Sequence, residues 1–124
     1  MTNMDNLRAT ILLGHGSRDA LWRQPIEAVA NHIRQLAPNH PVRCAYLELS
    51  EPDLAASARE LTKLGATSIT VLPLLLGVGK HAREDIPRLL DVLQTNHPGI
   101  HFELRPAIGE DRQVIELLAR LAIS

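Results

Sequence analysis

Four short apolar runs, each followed by a segment whose apolar residues recur at helical spacing, constrain this chain more than any other feature. The first run, Ala9 to Leu13, stops at the glycine-permitted turn Gly14-His-Gly-Ser17. From Leu21 to Leu36, the residues Leu21, Trp22, Ile26, Val29, Ile33 and Leu36 follow a helical period, with Pro25 in the tolerated first turn. The run Val42 to Leu47 has strand length, and Ser50-Glu-Pro-Asp53 supplies helix-start chemistry for a helix from about Asp53 to Leu64.

The stretch Ser68 to Leu76 is the most apolar of the chain and reads as a strand buried on both faces, at the centre of a parallel sheet. Pro73 cannot donate a ladder hydrogen bond, so regular pairing is expected to end there, with Leu74 to Gly79 as a loop. A third helix is expected around Glu84 to Thr95, with Pro87 early in it. Gly99 to Arg105 alternates like a strand, and Glu110 to Ile123 carries Val114, Leu117, Leu118 and Leu121 at helical intervals. Strand-helix alternation without long linkers predicts one α/β domain over residues 1–124: a four-stranded parallel sheet with helices on both faces and right-handed crossovers. Residues 1–8 are expected to form a flexible N-terminal segment.

Composition narrows the partners. Aromatic residues make up 2% of the chain, which leaves no platform for stacking bases, and the formal net charge of -1 gives no global attraction to nucleic acid or an anionic membrane. The single cysteine, Cys44, cannot form an intrachain disulfide, and no apolar run approaches membrane-spanning length. A cytoplasmic protein that binds neither nucleic acid nor membrane is the expectation.

Ligands of open parallel sheets bind beyond the carboxyl ends of the strands, where the expected ends of the first three strands carry His15, Glu48 and His81. Two imidazoles and a carboxylate suit a first-row divalent ion. His15 has glycine on both sides at a strand-to-loop junction, which exposes the ring and lets a ligand approach the backbone. His81 follows the loop Gly77-Val-Gly-Lys80, and Glu51 competes with Glu48 as the carboxylate. His32, His40, His97 and His101 read as surface or structural histidines. The turn after the first run lacks the third glycine of a dinucleotide fingerprint, with Asp19 in its place, and no phosphate-binding loop occurs elsewhere. Ser17 does not stand in a nucleophile elbow, which argues against a serine hydrolase.

The segments Leu13-Gly-His-Gly-Ser17, Ala45-Tyr-Leu-Glu-Leu-Ser-Glu-Pro52, Val71-Leu-Pro-Leu-Leu-Leu-Gly77 and Gly79-Lys-His-Ala-Arg-Glu-Asp-Ile-Pro87 resemble, in this order, the family of sirohydrochlorin cobaltochelatases and ferrochelatases. The resemblance runs from about Ile11 to Leu118 and implies a class II chelatase with a flavodoxin-like fold. Such an enzyme inserts cobalt, iron or nickel into sirohydrochlorin with no cofactor beyond the metal substrate itself. It also implies that His15 and His81 handle the metal, that Glu48 joins them as ligand or base, and that two single-domain chains form a homodimer with the macrocycle in the cleft between them. Ser17, Arg18 and Lys80, with Arg23 and Arg83 nearby, are then candidates to meet the substrate carboxylates, and Leu75, Leu76, Gly77 and Val78 to support its apolar face. A carrier that binds tetrapyrrole or metal without inserting it would need the same ligands.

Overall fold

The computed structural model describes residues 6–124. Strand β1 (Leu7–Gly14), helix α1 (Gln24–Leu36), β2 (Val42–Tyr46), α2 (Leu54–Lys63), β3 (Ala66–Pro73), α3 (Lys80–Asn96), β4 (His101–Leu104) and α4 (Arg112–Ile123) follow one another, with short 3-10 turns at Ala20–Arg23 and Ile108–Glu110. The four strands are parallel in the order β2-β1-β3-β4. Leu7 and Arg8 already belong to β1, which corrects the expected boundary of the flexible segment; residues 1–5 lie outside the described residues.

The period of two along the strands separates the core into two layers. Ala9, Ile11 and Leu13 of β1 and Ile69 and Val71 of β3 face α2 and α3, where they pack with Leu54, Ala58, Leu61, Ile86, Leu90 and Leu93. On the other face Leu12 and Val42 meet Ile26 and Ala30 of α1 together with Tyr46. β1 is thus buried on both sides over most of its length, whereas β3 buries Ile69 and Val71 on one face and leaves Thr70 and Leu72 half-buried on the other, which corrects the expectation of a third strand buried on both faces.

Local chemistry sets the boundaries. Asp53 caps α2 by accepting from the Ala56 amide at 2.8 Å, and Asp111 caps α4 by accepting from Gln113 and Val114. His40, read as structural, hydrogen-bonds through Nε2 to Thr10 Oγ1 at 2.8 Å. Helix α3 starts one turn earlier than expected: the Arg83 amide donates to the Gly79 carbonyl, so Pro87 lies inside the helix and His81 is its second residue. Helix α4 forms where its periodicity predicts but buries none of its residues, so the expected cover on that part of the sheet is absent within the single chain.

Candidate active site

β1 ends at Gly14 and delivers His15 into the loop above the sheet. β2, its neighbour, ends at Tyr46 and delivers Leu47 and Glu48 beside it. Pairing continues past both formal ends, because Leu47 donates to the Gly14 carbonyl and Glu48 to the His15 carbonyl, each at 3.0 Å. Gly16 makes this approach possible: its φ is +110°, and a Cβ there would lie 1.5 Å from the Glu48 carbonyl oxygen. Ser50 clamps the same loop, its hydroxyl donating to the Ser17 carbonyl at 2.6 Å and accepting from the Ser17 amide at 3.1 Å.

Helix α3 brings the third group. His81, in its first turn, faces a cleft of about 390 Å³ lined also by His15, Leu47, Glu48, Ala82, Asp85, Arg88 and Leu89. The structure therefore brings His15, Glu48 and His81 to one mouth of the sheet, all three exposed to solvent. They share the cleft without forming a preassembled cage: among the described residues, no three histidine, cysteine or carboxylate side chains stand close enough to hold an ion. Glu51, the rival carboxylate, lines a different hollow with Arg23, Arg34 and Arg43.

Other expected contacts are distributed differently. Leu75 is 6% exposed and belongs to the core, so it offers no surface to a ligand, whereas Leu76 is 67% exposed. Val78 is half-buried against the same core, and Gly77 and Lys80 are exposed. The Ser17 hydroxyl accepts from the Asp19 amide, which occupies it in the turn, and Arg18 is exposed. Arg23 lies over the Tyr46 ring, 5.8 Å from its centroid, and Arg83 donates to the Val78 carbonyl, so neither lines the cleft. Asp85 and Arg88, paired at 3.1 Å, were missed by the sequence reading. Their spacing from His81, four and seven residues along α3, places all three on one helical face, a signal available once the helix is known to begin at Lys80.

The family model CbiX matches residues 9–123. The chain belongs to the CbiX family. A solved structure of a putative cobalamin (vitamin B12) biosynthesis CbiX protein from Marinobacter aquaeolei VT8 is 33% identical, with a TM-score of 0.79 over 94% of this chain and 93% of that one. The sirohydrochlorin chelatase SirB from Bacillus subtilis subspecies spizizenii, solved in complex with cobalt, is 31% identical with a TM-score of 0.76, covering 94% of this chain and 50% of that one. A protein named sirohydrochlorin cobaltochelatase from Methanopyrus kandleri is 33% identical over 66% of this chain, and the match spans 57% of that relative's length. The four-stranded parallel sheet with helices on both faces is structurally similar to those CbiX-family structures. Among the described residues, no helix is long and apolar enough to cross a membrane.

Proposed function

We propose that this chain inserts a divalent metal, cobalt, iron or nickel, into sirohydrochlorin in the cytoplasm, one domain per subunit of a homodimer, with no nucleotide or other cofactor. The observation that carries the reading is the convergence of His15, Glu48 and His81 on one cleft at the carboxyl edge of the sheet in a CbiX-family chain. Relatives bearing chelatase names, one of them solved with cobalt, support the substrate class.

Insertion exchanges two pyrrole N–H protons for one M²⁺, so the site must present the ion and accept two protons. Imidazole performs both tasks at neutral pH. His15 and His81 present the ion to one face of the ring and take up protons, and Glu48 balances the charge as ligand or base. Loose coordination suits this handover, because the four ring nitrogens must win the ion from the protein; a closed tetrahedral cage would retain it. Arg88 at the cleft, with Arg18 on the adjoining loop and Lys80 at the start of α3, meets the substrate carboxylates, and exposed Leu76 supports the ring with Val78 behind it. A cleft of about 390 Å³ is at the small end of small-molecule sites, which supports a macrocycle received between two subunits.

The test mixes purified protein, sirohydrochlorin and Co²⁺, Fe²⁺ or Ni²⁺ and follows the absorption spectrum. Acceleration over the protein-free rate is expected, with loss of turnover in His15→Ala and in His81→Ala and retention of the far-UV circular dichroism. Wild-type turnover in either variant overturns the assignment of the histidines. Stoichiometric binding without turnover makes the chain a carrier.

A further inference from the structure

Leu49 has a backbone conformation and an environment that a leucine does not favour. Its φ is 63°, and the Ser50 amide donates to the Glu48 carbonyl at 2.8 Å, which closes a three-residue turn with Leu49 at its centre, the rare and strained γ form. A Cβ in this region crowds the neighbouring carbonyl, a cost that glycine avoids and asparagine offsets by local hydrogen bonding. The side chain is also 54% exposed, and among the described residues it joins neither layer of the core. Leu47, two positions earlier, does pack against the core and lines the cleft. Neither backbone preference nor core packing accounts for a leucine at position 49.

We propose that Leu49 contacts the tetrapyrrole, its side chain lying against an apolar edge of the macrocycle where the ring passes over the rim of the cleft. The inference rests on the reading of the substrate given above. Three observations carry it. First, the strained turn is held from both sides: Glu48 donates to the His15 carbonyl at 3.0 Å, the Ser50 hydroxyl bonds the Ser17 carbonyl and amide at 2.6 and 3.1 Å, and Tyr46 donates to the Pro52 carbonyl at 3.0 Å. Strain that its surroundings over-determine clusters at ligand clamps, and a turn ordered before the ligand arrives loses little entropy on binding it. Second, Glu48 lines the cleft and Leu49 follows it directly, so the leucine stands at the rim. A cleft of about 390 Å³ receives only part of a tetrapyrrole, and the remainder lies over residues at that rim. Third, the connections after β1, β2 and β3 each present one leucine more than half exposed, Leu21, Leu49 and Leu76. Of these, Leu49 alone is the direct neighbour of a metal-handling residue, so a ring resting on it is held in register with Glu48 and, through the backbone bond, with His15.

The experiment titrates metal-free sirohydrochlorin into the full chain and follows the fluorescence anisotropy of the macrocycle, beside urea denaturation of each unliganded protein. Leu49→Asn is expected to weaken binding about tenfold, because the apolar contact is lost. The same variant is expected to raise the urea midpoint, because the turn is relieved. Leu49→Met keeps a flexible apolar chain and is expected to bind within about twofold of wild type. The opposed signs separate a ligand contact from a structural role, in which affinity and stability fall together. Unchanged affinity in Leu49→Asn, a joint fall of affinity and stability, or a change of mass in light scattering, which would make Leu49 a subunit contact, overturns the inference. Failure of wild type to bind sirohydrochlorin removes the proposed function and this inference together, whereas wild-type binding that Leu49→Asn shares removes this inference alone. Binding that the variant weakens, with no metal turnover in wild type, sinks insertion and leaves the contact standing.

Discussion

Glu48 donates its backbone N–H to the carbonyl oxygen of His15 at 3.0 Å, so two candidate site residues separated by more than thirty positions in the chain share one rigid backbone link. The link extends the β1–β2 ladder beyond the last paired residues, Gly14 and Tyr46. It exists because Gly16, at φ +110°, leaves no side chain between the two loops.

Replacing Gly16 by alanine strains the backbone and drives a methyl group into the Glu48 carbonyl. The left-handed conformation alone costs on the order of 1–3 kcal/mol for a residue with a side chain. Relief by separating the loops would break the His15–Glu48 link. Gly16→Ala is therefore expected to lower unfolding stability by at least about 1 kcal/mol in a urea titration and to cut metal insertion more steeply than stability. An unchanged insertion rate would mean that the link does not organise the site.

The reading from sequence succeeded where one physical cause dominates. The β3 run marks the sheet interior because Ile69 and Val71 are fully buried and Leu72 is half-buried against the α1 layer, and His15 stands out because flanking glycines belong to a turn that exposes it. Glu48 and Glu51 were not separable by pattern; three residues apart, they are divided only by the turn at Leu49, whose φ is 63°. The start of α3 was misplaced because proline favours the first turn, whereas here Pro87 lies in the interior, and with the start went the helical face that carries Asp85 and Arg88. Periodicity marks an apolar stripe on α4 but says nothing about which surface covers it.

Ser57 is fully buried on α2, and its hydroxyl finds no hydrogen-bond partner among the described residues. A buried hydroxyl without a partner bears its desolvation cost uncompensated, about 1–3 kcal/mol. Ser57→Ala removes that cost and only one small atom from the packing against the core. Its denaturation midpoint is expected to rise, by about 1 kcal/mol in free energy at unchanged m-value. A drop of similar size would show that the hydroxyl is satisfied in solution.

Burial pushes the Cys44 thiol above its ordinary value of 9.0, with Glu27 adding to the rise and Arg34 opposing it. Burial likewise raises the Tyr46 hydroxyl above 10.0, with Cys44 and Glu27 adding to the rise and Arg23 opposing it. A group held protonated more firmly when folded contributes stability that is intact below its unfolded value and is lost as pH rises through the folded one. Thermal melts are therefore expected to be flat near neutrality and to fall above about pH 9, with Cys44→Ala falling less over the first unit and following wild type once Tyr46 begins to ionise. Identical alkaline profiles for the two proteins would remove Cys44 as a cause.

Arg88 gives the clearest separation between holding the fold and holding the substrate. Its pairing with Asp85 at 3.1 Å joins two exposed side chains one turn apart, an arrangement worth less than about 0.5 kcal/mol. Its position on the cleft, two turns beyond His81, directs a cation to where a carboxylate-bearing macrocycle would sit. Arg88→Ala should leave the melting temperature within about a degree of wild type while raising KM for sirohydrochlorin about tenfold, the equivalent of ~1.4 kcal/mol of binding. Because uniform binding is lost without any change at the metal-handling groups, kcat should stay within about twofold. Arg88→Lys keeps the charge and should recover most of the affinity. If KM is unmoved and kcat collapses instead, Arg88 acts on the chemical step, and the substrate lies across the cleft in a different orientation.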